Sequence, residues 1–274
     1  MKDTLKVLAI GNSFSQDAFY YLQDLAVAGG YKLYNLNLYV GGCSLERHWC
    51  NLVEGTKYDA QFLSKESVGK LTIDEALDLQ DWDIISLQQA SGFSGVYESY
   101  HPYLQKLIDH IRLKLPNAKL WWHQTWAYEV DSAHSHFEKY GCDQEIMWDG
   151  ILKSSRKMYM FGFDEIVPSG LAVQNLRKEK FFDYPNGGMS VCRDGFHMHL
   201  VYGRLLVASV WYEKLFGANI LSNDYMPMPL GIEVVDEEAI SIVKRVAHDT
   251  VKSLKHIPDH VRKLRPEYRQ DIEI

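Results

Sequence analysis

The sequence has no apolar run approaching the roughly 18 residues that a membrane-crossing helix needs, so insertion into a bilayer is not expected. It also lacks a basic excess: 29 Lys and Arg stand against 36 Asp and Glu, a net charge of −7. A general binder of the phosphate backbone carries the opposite balance, so nucleic acid is not an expected partner. Cysteine is scarce, and Cys43, Cys50, Cys142 and Cys192 form no Cys-x-x-Cys pair. That argues against a zinc ribbon or a thioredoxin-type site. A chain of 274 residues can build a core without disulfide staples, so the four are expected as free thiols. Phosphate-cradling loops are missing as well: neither GxGxxG nor GxxxxGK followed by Ser or Thr occurs, and the GxSxG of a nucleophile elbow is absent.

What is present is an alternation of strands and helices. Leu5–Ile10 (LKVLAI) is a short, nearly continuous apolar run, the habit of a strand buried on both faces of a parallel sheet. No basic region precedes it and no small-residue cleavage site follows, so it does not read as a signal peptide. The expected setting is aqueous: the cytoplasm, or the periplasm or exterior if a leader has been removed. Gly11–Ser15 forms a turn, and a helix is expected from about Asp17 to the Gly29-Gly30 stop. Further strands are expected at Leu33–Val40, Asp83–Leu87, Leu120–Gln124 and Glu165–Pro168. Helices are expected at Thr72–Leu79, around Leu104–Ile111, and over Asp143–Phe161, His199–Phe216 and Glu237–Lys255. This order implies a three-layer α/β/α sandwich with a central, mostly parallel, flavodoxin-like sheet. No internal repeat or low-complexity linker interrupts it, so one domain spanning 1–274 is expected, with 256–274 as a charged C-terminal extension.

In open α/β sheets, ligands bind at the carboxyl ends of the strands. Ser13 follows the first strand there, with backbone N–H groups of a helix start close by to meet developing negative charge. A serine in this turn, Ser13 or Ser15, is equally suited to capping the helix. As a nucleophile, a hydroxyl needs a base. Asp194-Gly195-Phe196-His197 supplies one, because a spacing of three lets the carboxylate orient the imidazole. That stretch also reads as a plain turn with a helix-capping Asp.

Together these blocks resemble the SGNH, or GDSL-like, hydrolases, which pair a Gly-Asp/Asn-Ser turn after the first strand with an Asp-x-x-His before the last core helix. Here they are Gly11-Asn12-Ser13 and Asp194-x-x-His197. GNSFS at 11–15, GGCSLERH at 41–48, LQQAS at 87–91 and DGFH at 194–197 are similar to the subgroup named DUF4886. The resemblance implies an ester hydrolase with no cofactor, in which Ser13 is the nucleophile, His197 the base and Asp194 its orienter. It further implies small acyl groups, acetyl esters on carbohydrate above all, and an oxyanion hole of three donors. Two of these fall on the Ser13 N–H and on Gly42. The third is an asparagine in the family, but Gln88-Gln89-Ala90-Ser91 stands here. Gln89 is the first choice, with Gln88 or Ser91 as alternatives. His48 and Trp126 are candidates for touching substrate.

Two other readings stay open. His134-x-His136 and His197-x-His199 suit a metal-dependent hydrolase. The altered third block suits a non-catalytic carbohydrate-binding domain on a hydrolase scaffold.

Overall fold

The computed structural model describes residues 4–62, 66–228 and 234–254. The expected extension at 256–274 lies outside them. The described residues form one seven-stranded sheet. Its parallel core is β1 (Leu5–Gly11), β2 (Leu33–Tyr39), β5 (Ile84–Leu87), β6 (Lys119–His123) and β7 (Glu165–Val167). A hairpin of β3 (Tyr58–Phe62) and β4 (Glu66–Leu71) adds two antiparallel strands beside β2. The full order is β4-β3-β2-β1-β5-β6-β7. Counting the parallel strands alone gives 2-1-3-4-5, the flavodoxin-like winding, with its switch point between β1 and β5.

Alternation along each strand feeds two cores, one on each sheet face. Val7, Ala9, Ile84, Trp121 and Val167 enter one; Leu8, Ile10, Ile85, Trp122 and Ile166 enter the other. The first is covered by α1 (Ser13–Phe19), α2 (Leu22–Ala28), α7 (Ser169–Leu176), α8 (Tyr202–Phe216) and α9 (Glu237–Ser253). The second lies under α3 (Leu45–Glu54), α4 (Ile73–Asp78) and α5 (Tyr103–Lys114). α6 (Gln144–Arg156) adds Met147 and Ile151 to the first. Tyr202 to Glu213 of α8 are all buried, because sheet, α1, α2, α7 and α9 surround that helix. No helix among the described residues is long and apolar enough to cross a membrane.

The first helix begins at Ser13, four residues before the expected start. Asn12 is its cap: its side chain accepts the Phe14 N–H, and Ser15 returns a bond from the cap's own N–H. Capping is therefore carried out by Asn12 and Ser15, and Ser13 is the first helical residue. The β3–β4 hairpin escapes sequence reading because residues 67–70 of the edge strand, Ser-Val-Gly-Lys, are all exposed and give no alternation of buried apolar side chains.

Candidate active site

Ser13 stands at the carboxyl end of β1, beside the switch point. A buried polar chain fixes its turn. Ser169 Oγ bonds His123 Nε2, His123 Nδ1 bonds Gln88 Oε1, and Gln88 Nε2 donates to Asn12 Oδ1 at 2.7 Å. Asn12 Nδ2 donates in turn to the Cys43 carbonyl at 3.2 Å, drawing in the turn after β2. Each member is at most 2% exposed, and a satisfied buried network of this kind specifies one arrangement.

The second half comes from 184 residues downstream. Residues 191–199 fold as a tight hairpin: Arg193 N donates to His197 O at 2.9 Å and His199 N to Val191 O at 2.7 Å. Asp194 and His197 occupy its tip. His197 Nε2 lies 2.8 Å from Ser13 Oγ, and His197 Nδ1 lies 2.7 Å from Asp194 Oδ2. Asp194 Oδ1 accepts the His197 backbone N–H at 2.8 Å. Burial pulls the Asp194 carboxyl upward, but the hydrogen bonds from the His197 ring and backbone outweigh it and hold the group below the ordinary carboxylate range. A charged carboxylate on Nδ1 leaves Nε2 as the lone-pair nitrogen that faces the hydroxyl. Gly195 has φ +85°, and an added Cβ would meet Ser132 at 3.1 Å, so the hairpin tip requires glycine.

Three supports hold the hairpin, none of them assigned that role by sequence reading. Asp17, on α1 one turn beyond Ser13, accepts the Met198 N–H at 2.9 Å and bonds Arg193 and Arg204. Glu129 donates its backbone N–H to Gly195 O at 2.7 Å, while Arg177 and Ser190 hold its carboxylate. Trp126 donates Nε1–H to Phe196 O at 2.8 Å and stacks on Phe14 with ring centroids 4.1 Å apart. A signal for Asp17 was present: a charge four residues after Ser13, among Phe14, Ala18 and Phe19, has to be buried with a partner.

The remaining candidates separate. Gly42 is exposed, has φ +60° and would give an added Cβ open space, so its backbone is approachable. Gln89 is a correction. Its Nε2 donates to Ser99 O and Oγ, and its Oε1 accepts from Leu45 N and Ala90 N, so the amide is spent inside the fold. Gln88 is committed to Asn12 and His123. Of the four residues 88–91 only Ser91 escapes burial, and its hydroxyl meets that of Tyr128 at 2.8 Å.

His48 is also corrected: it is wholly buried on α3, with Nδ1 2.8 Å from the Tyr58 hydroxyl. Burial pushes its imidazole down to about 3, so it is neither a surface group nor a substrate contact. Trp126, 0% exposed, backs the site and cannot form its wall. His134 and His136 lie with ring centroids 5.3 Å apart. His199 Nδ1 accepts from Val201 N and Tyr202 N just ahead of α8. Among the described residues no three His, Cys, Asp or Glu side chains are arranged to hold a metal ion.

Comparison with known proteins agrees with this architecture. The family model described as domain of unknown function (DUF4886) matches residues 6–250. A crystal structure of a DUF4886 family protein from Bacteroides uniformis is 38% identical, covers 92% of this chain and 96% of its own, and superposes with a TM-score of 0.81. A protein described as a GDSL-like lipase from Parabacteroides merdae is 18% identical, with coverage of 79% and 96% and a TM-score of 0.52. A variant of an acetyl-xylooligosaccharide esterase from a Geobacillus is 10% identical, with coverage of 79% and 97% and a TM-score of 0.50. The last two likenesses are of fold. No curated protein matches the chain.

Proposed function

This chain belongs to the DUF4886 family, and from that premise we propose that it is a serine esterase acting on small acyl esters, acetyl esters of carbohydrate in particular. The observation that carries the reading is the unbroken contact from Ser13 Oγ through His197 to Asp194, at 2.8 and 2.7 Å. His197 Nε2 takes the hydroxyl proton as Ser13 Oγ bonds the acyl carbon. The oxyanion is met by the N–H groups of Ser13 and Gly42, where one well-placed donor is worth about 3 kcal/mol. Collapse returns the proton from His197 to the departing alcohol oxygen and leaves the acyl group on Ser13. Water then attacks, passes a proton to His197, and the carboxylic acid leaves as Ser13 regains its hydrogen. Asp194 holds the imidazole in the tautomer both steps need and stabilises its cation.

The carbohydrate part of the reading is supported by the fold shared with an acetyl-xylooligosaccharide esterase and by the family resemblance of the four motif blocks. The test is a panel of acetylated sugars and short-chain aryl esters, run with the wild type beside Ser13→Ala. Loss of acid release in the variant is expected; equal rates in both would remove Ser13 from the mechanism.

A further inference from the structure

Outward from His197 runs a row of rings, each half-buried. Phe196 packs on His197 with centroids 4.2 Å apart, and His134 meets Phe196 edge-on at 4.7 Å. His136 follows at 5.3 Å, and Phe93 lies 4.9 Å beyond it. The row is built rather than incidental. Beneath it, fully buried Tyr128 contacts His134 at 4.8 Å and Phe196 at 5.7 Å. Gly92 lets His136 lie against the backbone, because an added Cβ would meet His136 Nδ1 at 2.2 Å.

We propose that this row is the subsite for the alcohol part of the ester, and that the alcohol it takes is a neutral sugar ring. The proposal rests on the esterase reading of Ser13. A sugar offers a C–H face that lies on a ring and an edge of hydroxyls that need uncharged donors and acceptors. The row supplies both, since its outer members are phenyl rings and its inner members imidazoles. Burial lowers both imidazoles from their ordinary value, with the neighbouring His136 adding to the effect at His134 and Lys139 at His136, so both are neutral at pH 7. His134 Nδ1 accepts the His136 backbone N–H at 3.1 Å, which puts its own proton on Nε2 as a donor for a hydroxyl. An anionic sugar or a phosphorylated alcohol would look for a cation close to the ester, whereas Lys139 sits over the far ring, 5.1 Å from the Phe93 centroid. An aryl alcohol would cover the ring faces and leave the imidazole nitrogens unmatched.

The test compares kcat/KM for a monoacetylated methyl glycoside, 4-nitrophenyl acetate and ethyl acetate in the wild type, Phe93→Leu and His134→Ala. Phe93→Leu keeps an apolar side chain and loses the ring face, which guards against a folding defect. The ratio of glycoside ester to ethyl acetate is expected to fall about ten-fold in each variant, chiefly through KM. An unchanged ratio overturns the subsite, and a fall confined to the nitrophenyl ester overturns the sugar assignment. If the wild type cleaves none of the three, the esterase reading fails by itself. Calorimetry with an unacetylated oligosaccharide then decides the subsite: weaker binding by Phe93→Leu supports it, and no binding by the wild type overturns it.

Discussion

The carboxylate of Asp17 accepts the backbone N–H of Met198 at 2.9 Å, and so ties the helix that begins with Ser13 to the residue that follows His197. Asp17 is 0% exposed and also bonds Arg204 Nε at 2.7 Å and Arg193 Nη1 at 3.1 Å. Arg193 immediately precedes Asp194. One side chain therefore sets the separation between Ser13 and His197, two groups 184 positions apart in the sequence.

Asp17→Asn keeps the shape and removes the charge. Two guanidinium groups lose their charged partner, one of them, Arg204, only 10% exposed. Breaking a buried pair in this way costs about 3–5 kcal/mol. A lower melting temperature is expected, together with a kcat reduced at least ten-fold at temperatures where the variant is fully folded, and a KM near the wild-type value. A folded variant with wild-type kcat would show that Asp17 serves stability alone.

Asp194→Asn tests the orienter. Its side chain is 41% exposed, so the fold should tolerate the change. The amide cannot hold the Nδ1–H tautomer or stabilise the imidazolium. Related substitutions in well-studied triads lower kcat by about 10⁴, and a fall of that order is expected in steady-state assays. A drop smaller than ten-fold would mean that His197 is oriented by something else.

The parallel core was legible because its signals are local. LKVLAI needs only its own apolar run to declare a two-faced strand, and Ser13, Asp194 and His197 sit in short motifs whose order follows chain order. What sequence missed depends on partners far along the chain. Gln89 reads as an oxyanion donor by position, yet Ser99 and Leu45 claim its amide. His48 reads as a candidate substrate contact, yet it is buried and its Nδ1 meets the hydroxyl of Tyr58 in the hairpin. Trp126 reads as a wall, yet Phe14 stacks on its face. In each case a polar or aromatic side chain was assigned to the substrate site when tertiary packing supplied a protein partner.

Trp126→Phe separates a backing role from substrate contact. The substitution leaves an aromatic ring against Phe14 and deletes the Nε1–H that holds Phe196 O at 2.8 Å. A fully buried carbonyl left unsatisfied costs about 1–3 kcal/mol; the Phe196 carbonyl is only part-buried, so the loss is smaller, and the hairpin tip should loosen. The expected result is a kcat lowered several-fold with KM nearly unchanged. A raised KM at constant kcat would instead place the indole against substrate.

Acid should unfold the protein through two histidines that lie outside the Ser13–His197–Asp194 contact. His48 and His123 are both 0% exposed, and burial pushes each from 6.5 down to about 3. The unfolded chain takes up these protons near pH 6.5, whereas the folded chain refuses them until far lower. Stability is therefore complete above pH 6.5 and is lost as pH falls toward 3, by up to about 1.4 kcal/mol per pH unit for each histidine. At pH 5 the pair together removes about 4 kcal/mol, a large part of the 5–15 kcal/mol typical of a domain. Urea melts between pH 7.5 and 4.5 should show this slope, and His123→Gln, which retains a donor for Gln88, should reduce it by about half. A slope unchanged in that variant would assign the acid sensitivity to other groups.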